Sequence, residues 1–302
     1  MTLTESLDEL FAALDGMEVS PACIFKNGQE KEQYESLLTF GFRKLQAAKY
    51  HLLNVHRLLA KAIEESAHVE REFTRHLNEQ PSTLGKRGLA RLSTQISAHD
   101  YAFELAAFLA AIKSGVDFIA AAASRHLPGT TADSIRTPLR LVSKGFRGPI
   151  LNEVAESHDW LTGLREYRHH LVHRLVITLS RGWEVSMTEQ GSTRAPYPVV
   201  VPVRPPKHVL DTRRERMMNS ASPLGLTVTK STSWITESDG SRRMVSNIVN
   251  ADPSPGFMRI EDFMKTHIDA FEEFFLRMVR GLIDLKGTPA SVVGAAGETP
   301  QR

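Results

Sequence analysis

Apolar residues recur at three- and four-residue spacing over most of this chain, the period of helices with one buried face. Residues 2 to 15 carry Leu3, Leu7, Leu10, Phe11 and Leu14 on one side, and Gly16 ends the run. Pro21 to Gly28 reads as a connector. From Glu30 to about Leu77 a single pattern continues, with Leu37, Gly41, Leu45, Ala48, Leu52, Val55, Leu59 and Ala62 on one face. Such a length suits an arm of an antiparallel bundle. Gly85 and Gly88 mark a loop, and a second long helix is expected from Thr94 to His126, rich in Ala and closed by Pro128-Gly129. Ser134 to Ser143 reads as a shorter helix whose register Pro138 disturbs. A third long helix is expected from Asn152 to Leu179. The last starts near Ile260, with Glu261 and Asp262 in its first turn. Phe263, Ile268, Phe271, Phe274, Phe275, Met278 and Leu282 give it a broad apolar face.

Between the last two helices the period changes. Trp183 to Met187 alternates, and Tyr197 to Val203 is extended and punctuated by prolines. Leu224 to Thr229 and Ser233 to Thr236 lead through Asp239-Gly240 into Met244 to Val249, which reads as a β-hairpin. Val209 to Asn219 is charged, a short exposed helix or a loop. The pattern therefore predicts a mainly α chain: an antiparallel helical bundle with a small β-rich insertion before the last helix. Its parts are an N-terminal helix and connector (1–27), the bundle (28–180 plus 257–287), the insertion (181–256) and a disordered tail of small residues and prolines (288–302). No internal repeat is present.

Composition changes this picture little. The chain has 302 residues, 41% hydrophobic and 24% charged, enough to bury a core unaided. A single cysteine, Cys23, excludes an internal disulfide framework and a cysteine-based structural zinc site, and fits a reducing, cytoplasmic setting. A net charge of +2 does not announce a nucleic-acid binder. Local basic clusters say more: Lys86-Arg87 with Arg91, Arg136/Arg140/Lys144/Arg147, and Arg213-Arg214 with Arg216. A solvated surface is the plainer account of each. The amino terminus lacks the basic region and apolar run of a signal peptide. No membrane span is expected, because Glu104, Lys113 and Asp117 break the stretch from Phe103 to Ala123.

The densest chemistry lies in Asp159 to Val176. Stepping about 100° per residue puts Leu164, Tyr167, Leu171 and Leu175 on one face, with Arg168 inside it. An unpaired buried guanidinium is costly, so Arg168 is expected to find a partner. Glu166, His169, His170 and His173 form a polar arc, and Arg165, Val172 and Val176 lie in a mixed stripe between. Arg168-His169-His170-Leu171-Val172-His173 resembles the Arg-x4-His motif of the HEPN superfamily. Ala111-Ile112-Lys113-Ser114-Gly115-Val116-Asp117-Phe118 resembles the second-helix segment of bacterial HEPN proteins of uncharacterised function. The two resemblances cover about half the chain by pattern. Arg165 with His170 satisfies the spacing too. The polar His169 after Arg168, against Glu166 after Arg165, favours the register Arg168/His173.

This resemblance implies a helical bundle, commonly a homodimer, acting as a metal-independent ribonuclease without a cofactor. His173 would be the general acid/base, Arg168 the stabiliser of phosphoryl charge and His169 a supporting polar group. A histidine titrates near neutrality, and a guanidinium fork matches phosphoryl oxygens. His173 lies roughly 140° around the helix from Arg168, so a shared phosphate must bridge the intermediate stripe. In the family that stripe commonly meets its copy in a second subunit. Other HEPN proteins have lost catalysis and bind RNA or a protein, some a nucleotidyltransferase-type partner; there Arg168 would be an ion-pair residue and the histidines surface groups.

Glu65-x-x-His68 and Glu166-x-x-His169 have the spacing used by di-iron bundles. Both pairs lie away from their helices' apolar faces, so no metal is expected. A His-Glu-x-x-His motif, a phosphate-binding glycine loop and a serine elbow are missing from the sequence. Trp183 and Trp234 are expected to fill the core of a small sheet rather than to stack bases.

Overall fold

The computed structural model describes residues 2–16, 25–79, 89–127, 132–173, 179–188, 191–205, 225–236 and 239–285. Seven helices dominate the described residues: α1 (Leu3–Asp15), α2 (Gly28–Glu79), α3 (His99–Ala123), α4 (Arg136–Ser143), α5 (Pro149–Glu156), α6 (His158–His173) and α7 (Ile260–Asp284). The strands are β1 (Leu89–Ser97), β2 (Ser180–Thr188), β3 (Gly191–Tyr197), β4 (Val200–Pro202), β5 (Leu226–Thr236), β6 (Arg242–Pro253) and β7 (Phe257–Arg259). The chain is mainly α, as its periodicity predicts.

Local chemistry sets several helix starts. Thr2 and Glu5 form a capping box on α1, with Glu5 N donating to Thr2 Oγ1 at 3.3 Å and Thr2 N to the Glu5 carboxylate at 2.6 Å. Asn27 Oδ1 accepts from Glu30 N at 2.9 Å and opens α2. With 52 residues, α2 is about 78 Å long.

The chain divides into two compact units. The first holds residues 1–51, 107–168 and 265–302. Small residues let its helices approach. A Cβ on Gly41 of α2 would stand 3.1 Å from Ile119 of α3 and 3.4 Å from Phe275 of α7. Tyr34, Leu38, Leu45, Phe108, Ile112, Val116, Phe271, Phe274 and Met278 are buried in this unit. Leu38 and Tyr34 extend the α2 face that Gly41, Leu45 and Ala48 were expected to form.

The second unit holds residues 52–106 and 169–264. It contains a three-stranded antiparallel sheet in the order β1-β2-β3, the pair β4-β7 and the hairpin β5-β6. The hairpin turns at Asp239-Gly240 as expected, Asp239 accepting from Ser241 N at 2.9 Å.

Four expectations need correction. Residues 94–126 are not one helix: Leu89–Ser97 is a strand, α3 begins at His99, and Ser124–His126 is a 3-10 turn. Thr94 and Ile96 are residues that fit a strand, and β2 supplies a ladder pairing Leu89 with Thr188 through Ser97 with Ser180. The β structure is accordingly not confined to 181–256. The helix expected from Asn152 to Leu179 breaks at Ser157 into α5 and α6. Arg277 of α7 clasps that break, its Nη2 donating to Ser157 Oγ at 2.6 Å and its Nε 3.1 Å from Glu153. Finally, His99–His126 does reach the length and apolarity of a membrane-crossing helix, with mean hydropathy 1.7. Its alanine-rich 18-residue window holds no more than two charged residues, and 56% of that window is buried within the protein, as in a core helix. Cys23, Pro128-Gly129, Lys86-Arg87, Val209 to Asn219 and the tail from 288 lie outside the described residues.

Candidate functional site

Helix α6 holds the residues singled out by the sequence. Leu161, Leu164 and Tyr167 are fully buried, at the spacing that keeps one helix face inward. Trp160 anchors the same segment: its Nε1–H donates to His267 Nδ1 at 2.9 Å, and its ring centroid lies 6.0 Å from that of Phe274. Tyr167 is held protonated by burial. Arg168 follows and is half-buried, and His169 is exposed.

No ion pair joins Arg168 to a described residue. Arg168 is partly exposed rather than fully buried, so the desolvation cost that led us to expect a buried counter-ion is reduced. His170 and His173 lie on helical backbone, but their side chains, with Leu171, Val172 and Val176, fall outside the described residues. Of the candidate trio, the side chains of Arg168 and His169 are described, and both directly follow the buried Tyr167.

The two Glu-x-x-His pairs stand apart from the core. Glu166, His169 and His68 are exposed, and Glu65 accepts from Arg181 Nη1 at 2.9 Å. Among the described residues no group of three or more His, Cys, Asp or Glu side chains is placed to hold a metal ion.

The tertiary structure adds a site in the second unit that spacing did not reveal. A pocket of about 80 Å³ is lined by Ile63, Glu65 and Ser66 of α2, Tyr101 of α3, Arg181 and Trp183 of β2 and Tyr197 of β3. Tyr101 is 2% exposed and its hydroxyl has no hydrogen-bond partner among the described residues. Burial pushes that hydroxyl up to about 12, with Arg181 opposing and Glu65, Glu261 and Asp100 adding to the rise. The volume is that of several waters rather than of a drug-sized ligand. Its walls come from four separate stretches of chain, so no local motif could announce it.

Trp183 accordingly lines a pocket, and Trp234 departs further from expectation. Trp234 is 65% exposed and pairs across the hairpin with Met244, 58% exposed. A two-stranded ribbon has no second layer to cover that face.

Comparison with family models, curated proteins and solved structures finds no match to this chain.

Proposed function

We propose that this chain is a HEPN-like, metal-independent endoribonuclease acting on RNA at the cleft of a homodimer of antiparallel bundles. The observation that carries the reading is the way α6 is held. Leu161, Leu164 and Tyr167 are buried on its inner face, while Arg168 beside them is half-buried and His169 is exposed. A helix so anchored holds Arg168 and His169 where solvent, and so a phosphate, can reach them.

In the proposed reaction the RNA 2′-hydroxyl attacks its own phosphorus. His173 takes the hydroxyl proton, the new O–P bond forms, the bond to the 5′-oxygen breaks, and that leaving oxygen takes up a proton. Arg168 holds the equatorial phosphoryl oxygens through its planar fork, and His169 supports the phosphate. The products carry a cyclic phosphate on one end and a 5′-hydroxyl on the other. No metal takes part in these steps.

The purified protein should therefore cleave single-stranded RNA in excess EDTA and leave DNA, which lacks the nucleophile, intact. His173→Ala should slow cleavage by roughly two to four orders of magnitude. Arg168→Lys should be severely impaired despite its charge, and His170→Ala should matter little. Loss of activity in His170→Ala with His173→Ala active would move the site to Arg165/His170.

A second reading, a non-catalytic module binding RNA or a protein, draws on the exposed Trp234–Met244 pair, which suits contact without chemistry. RNA binding without cleavage by the wild-type protein would select it.

A further inference from the structure

Helix α4 carries its charges on one side. Its underside is apolar, with Pro138, Leu139, Leu141 and Val142 buried. Asp117 of α3 pins its start by accepting from Ile135 N at 3.1 Å. Arg136, Arg140 and Lys144 are all exposed and follow one another at four-residue spacing. On a helix that spacing makes a stripe about 12 Å long.

The stripe is not neutralised. Residues 132–149 hold four cations, Arg136, Arg140, Lys144 and Arg147, against the single acid Asp133. No ion pair joins Arg136, Arg140 or Lys144 to a described residue. The acids of the adjacent helix α5, Glu153 and Glu156, are engaged by Arg277 at 3.1 and 3.7 Å.

Helix stability does not account for the pattern. Arg140 and Lys144 suit the negative C-terminal end of α4, but Arg136 is its first residue, where the dipole disfavours a cation and the helix's own first turn holds no acid. The helix dipole therefore does not explain the cation at its N-terminal end.

Beyond the C-cap the chain presents an aromatic side chain, Phe146, from a hydrogen-bonded turn. Gly145, with φ 87°, lets the chain turn, its N–H donating to Val142 O at 3.0 Å, and Phe146 N donates to Leu141 O at 3.1 Å. That is a Schellman ending, in which the residue in the place of Phe146 frequently packs back on the helix. Phe146 instead stays 47% exposed. Arg147 holds the turn, its Nη1 donating to Phe146 O at 2.9 Å and Val142 O at 3.3 Å.

We infer that α4 and its terminal turn are a docking platform for single-stranded RNA, with Arg136, Arg140 and Lys144 following the phosphates and Phe146 stacking on a base. The inference rests on the reading of RNA as substrate and adds where the strand is held. A charged stripe ending in one exposed ring fits a strand that alternates phosphates and bases. A membrane surface would call for a wider apolar face than one phenylalanine.

The test uses the full chain and a fluorescein-labelled oligouridylate with methylated 2′-oxygens, which can bind but cannot be cleaved. Arg136→Gln/Arg140→Gln/Lys144→Gln should weaken binding and flatten the slope of log affinity against log salt by about 2. Phe146→Ser should weaken binding roughly fivefold to a hundredfold, with the salt slope unchanged. Both variants should keep the wild-type circular-dichroism spectrum; if the triple variant does not, single Gln substitutions, each expected to flatten the slope by about 0.7, replace it.

Wild-type affinity and slope in the folded triple variant would overturn the inference. So would wild-type protein that ignores the oligonucleotide at low salt, or that binds phosphatidylserine vesicles in its place. Stripe-dependent binding by a protein that cleaves no RNA would leave the platform standing and remove the nuclease reading. His173-dependent cleavage with stripe-independent binding would do the reverse.

Discussion

At the scale of single residues, the tightest constraint is a hydrogen atom. Gly115 lies in the segment Ala111 to Phe118, and a Cβ there would come 2.9 Å from Phe271 Cε1 and 3.1 Å from Lys44 Cβ. Phe271 is fully buried, so its ring has nowhere to go. Gly115→Ala would gain about 1 kcal/mol of helix propensity and lose about 1–3 kcal/mol to overpacking. We expect a net loss of up to about 2 kcal/mol, read as a lower denaturant midpoint. Unchanged or increased stability would contradict the close approach of α3 and α7. In the sequence Gly115 was one letter in a resemblance, and only the packed ring of Phe271 shows what it does.

At the scale of elements, the hairpin β5-β6 carries the clearest reversal. Trp234 was expected in a core because a large aromatic in an alternating strand usually finds one. It faces solvent opposite Met244 because the ribbon is only two strands wide at that point. Trp234→Thr should therefore cost no more than about 1 kcal/mol, the scale of one cross-strand pair. A loss of about 3–5 kcal/mol in urea unfolding, as for a core tryptophan, would show the expectation to have been right. Strand β1 and the break at Ser157 teach a related lesson. Both are set by partners distant in sequence: β2 for the strand, and Arg277 for the junction of α5 and α6.

At the scale of the whole molecule, two histidines tie stability to pH. His126 is 3% exposed, its ring nitrogens have no partner among the described residues, and burial, then the neighbouring Arg125, lowers its pKa to about 4. Burial likewise lowers that of His267 to about 4, and Trp160 Nε1–H occupies Nδ1, so the ring is held neutral. In the unfolded chain both titrate near 6.5. Below that value the unfolded chain takes up protons that the folded one refuses, so stability falls as the pH drops from about 6.5 to about 4. Above 6.5 neither residue contributes a slope. The full loss is about 3 kcal/mol for each histidine. Melting temperature should be flat above neutrality and decline through that window, and His126→Phe, which keeps the ring edge against Tyr34 without titrating, should flatten the decline. An unchanged decline in that variant would remove His126 as a cause.

The sequence by itself determined what depends on near neighbours: α1 and its stop at Gly16, the length of α2, the inward face of α7, the turn at Asp239-Gly240, and the cationic spacing of α4. Those features follow from periodicity, capping and turn chemistry, which act within a few residues. It also singled out Arg168, His169 and His173 as candidates, through a motif short enough to be read as letters. Tertiary structure alone decided that Leu89–Ser97 is a strand, that Arg168 is only half-buried, that Trp234 faces water, and that Glu65, Tyr101 and Arg181 share one pocket. Each of these depends on which distant segment supplies the other half of a ladder, a cavity wall or a salt bridge. Hydrophobic pattern specifies which face of an element is buried, and the fold alone specifies against what.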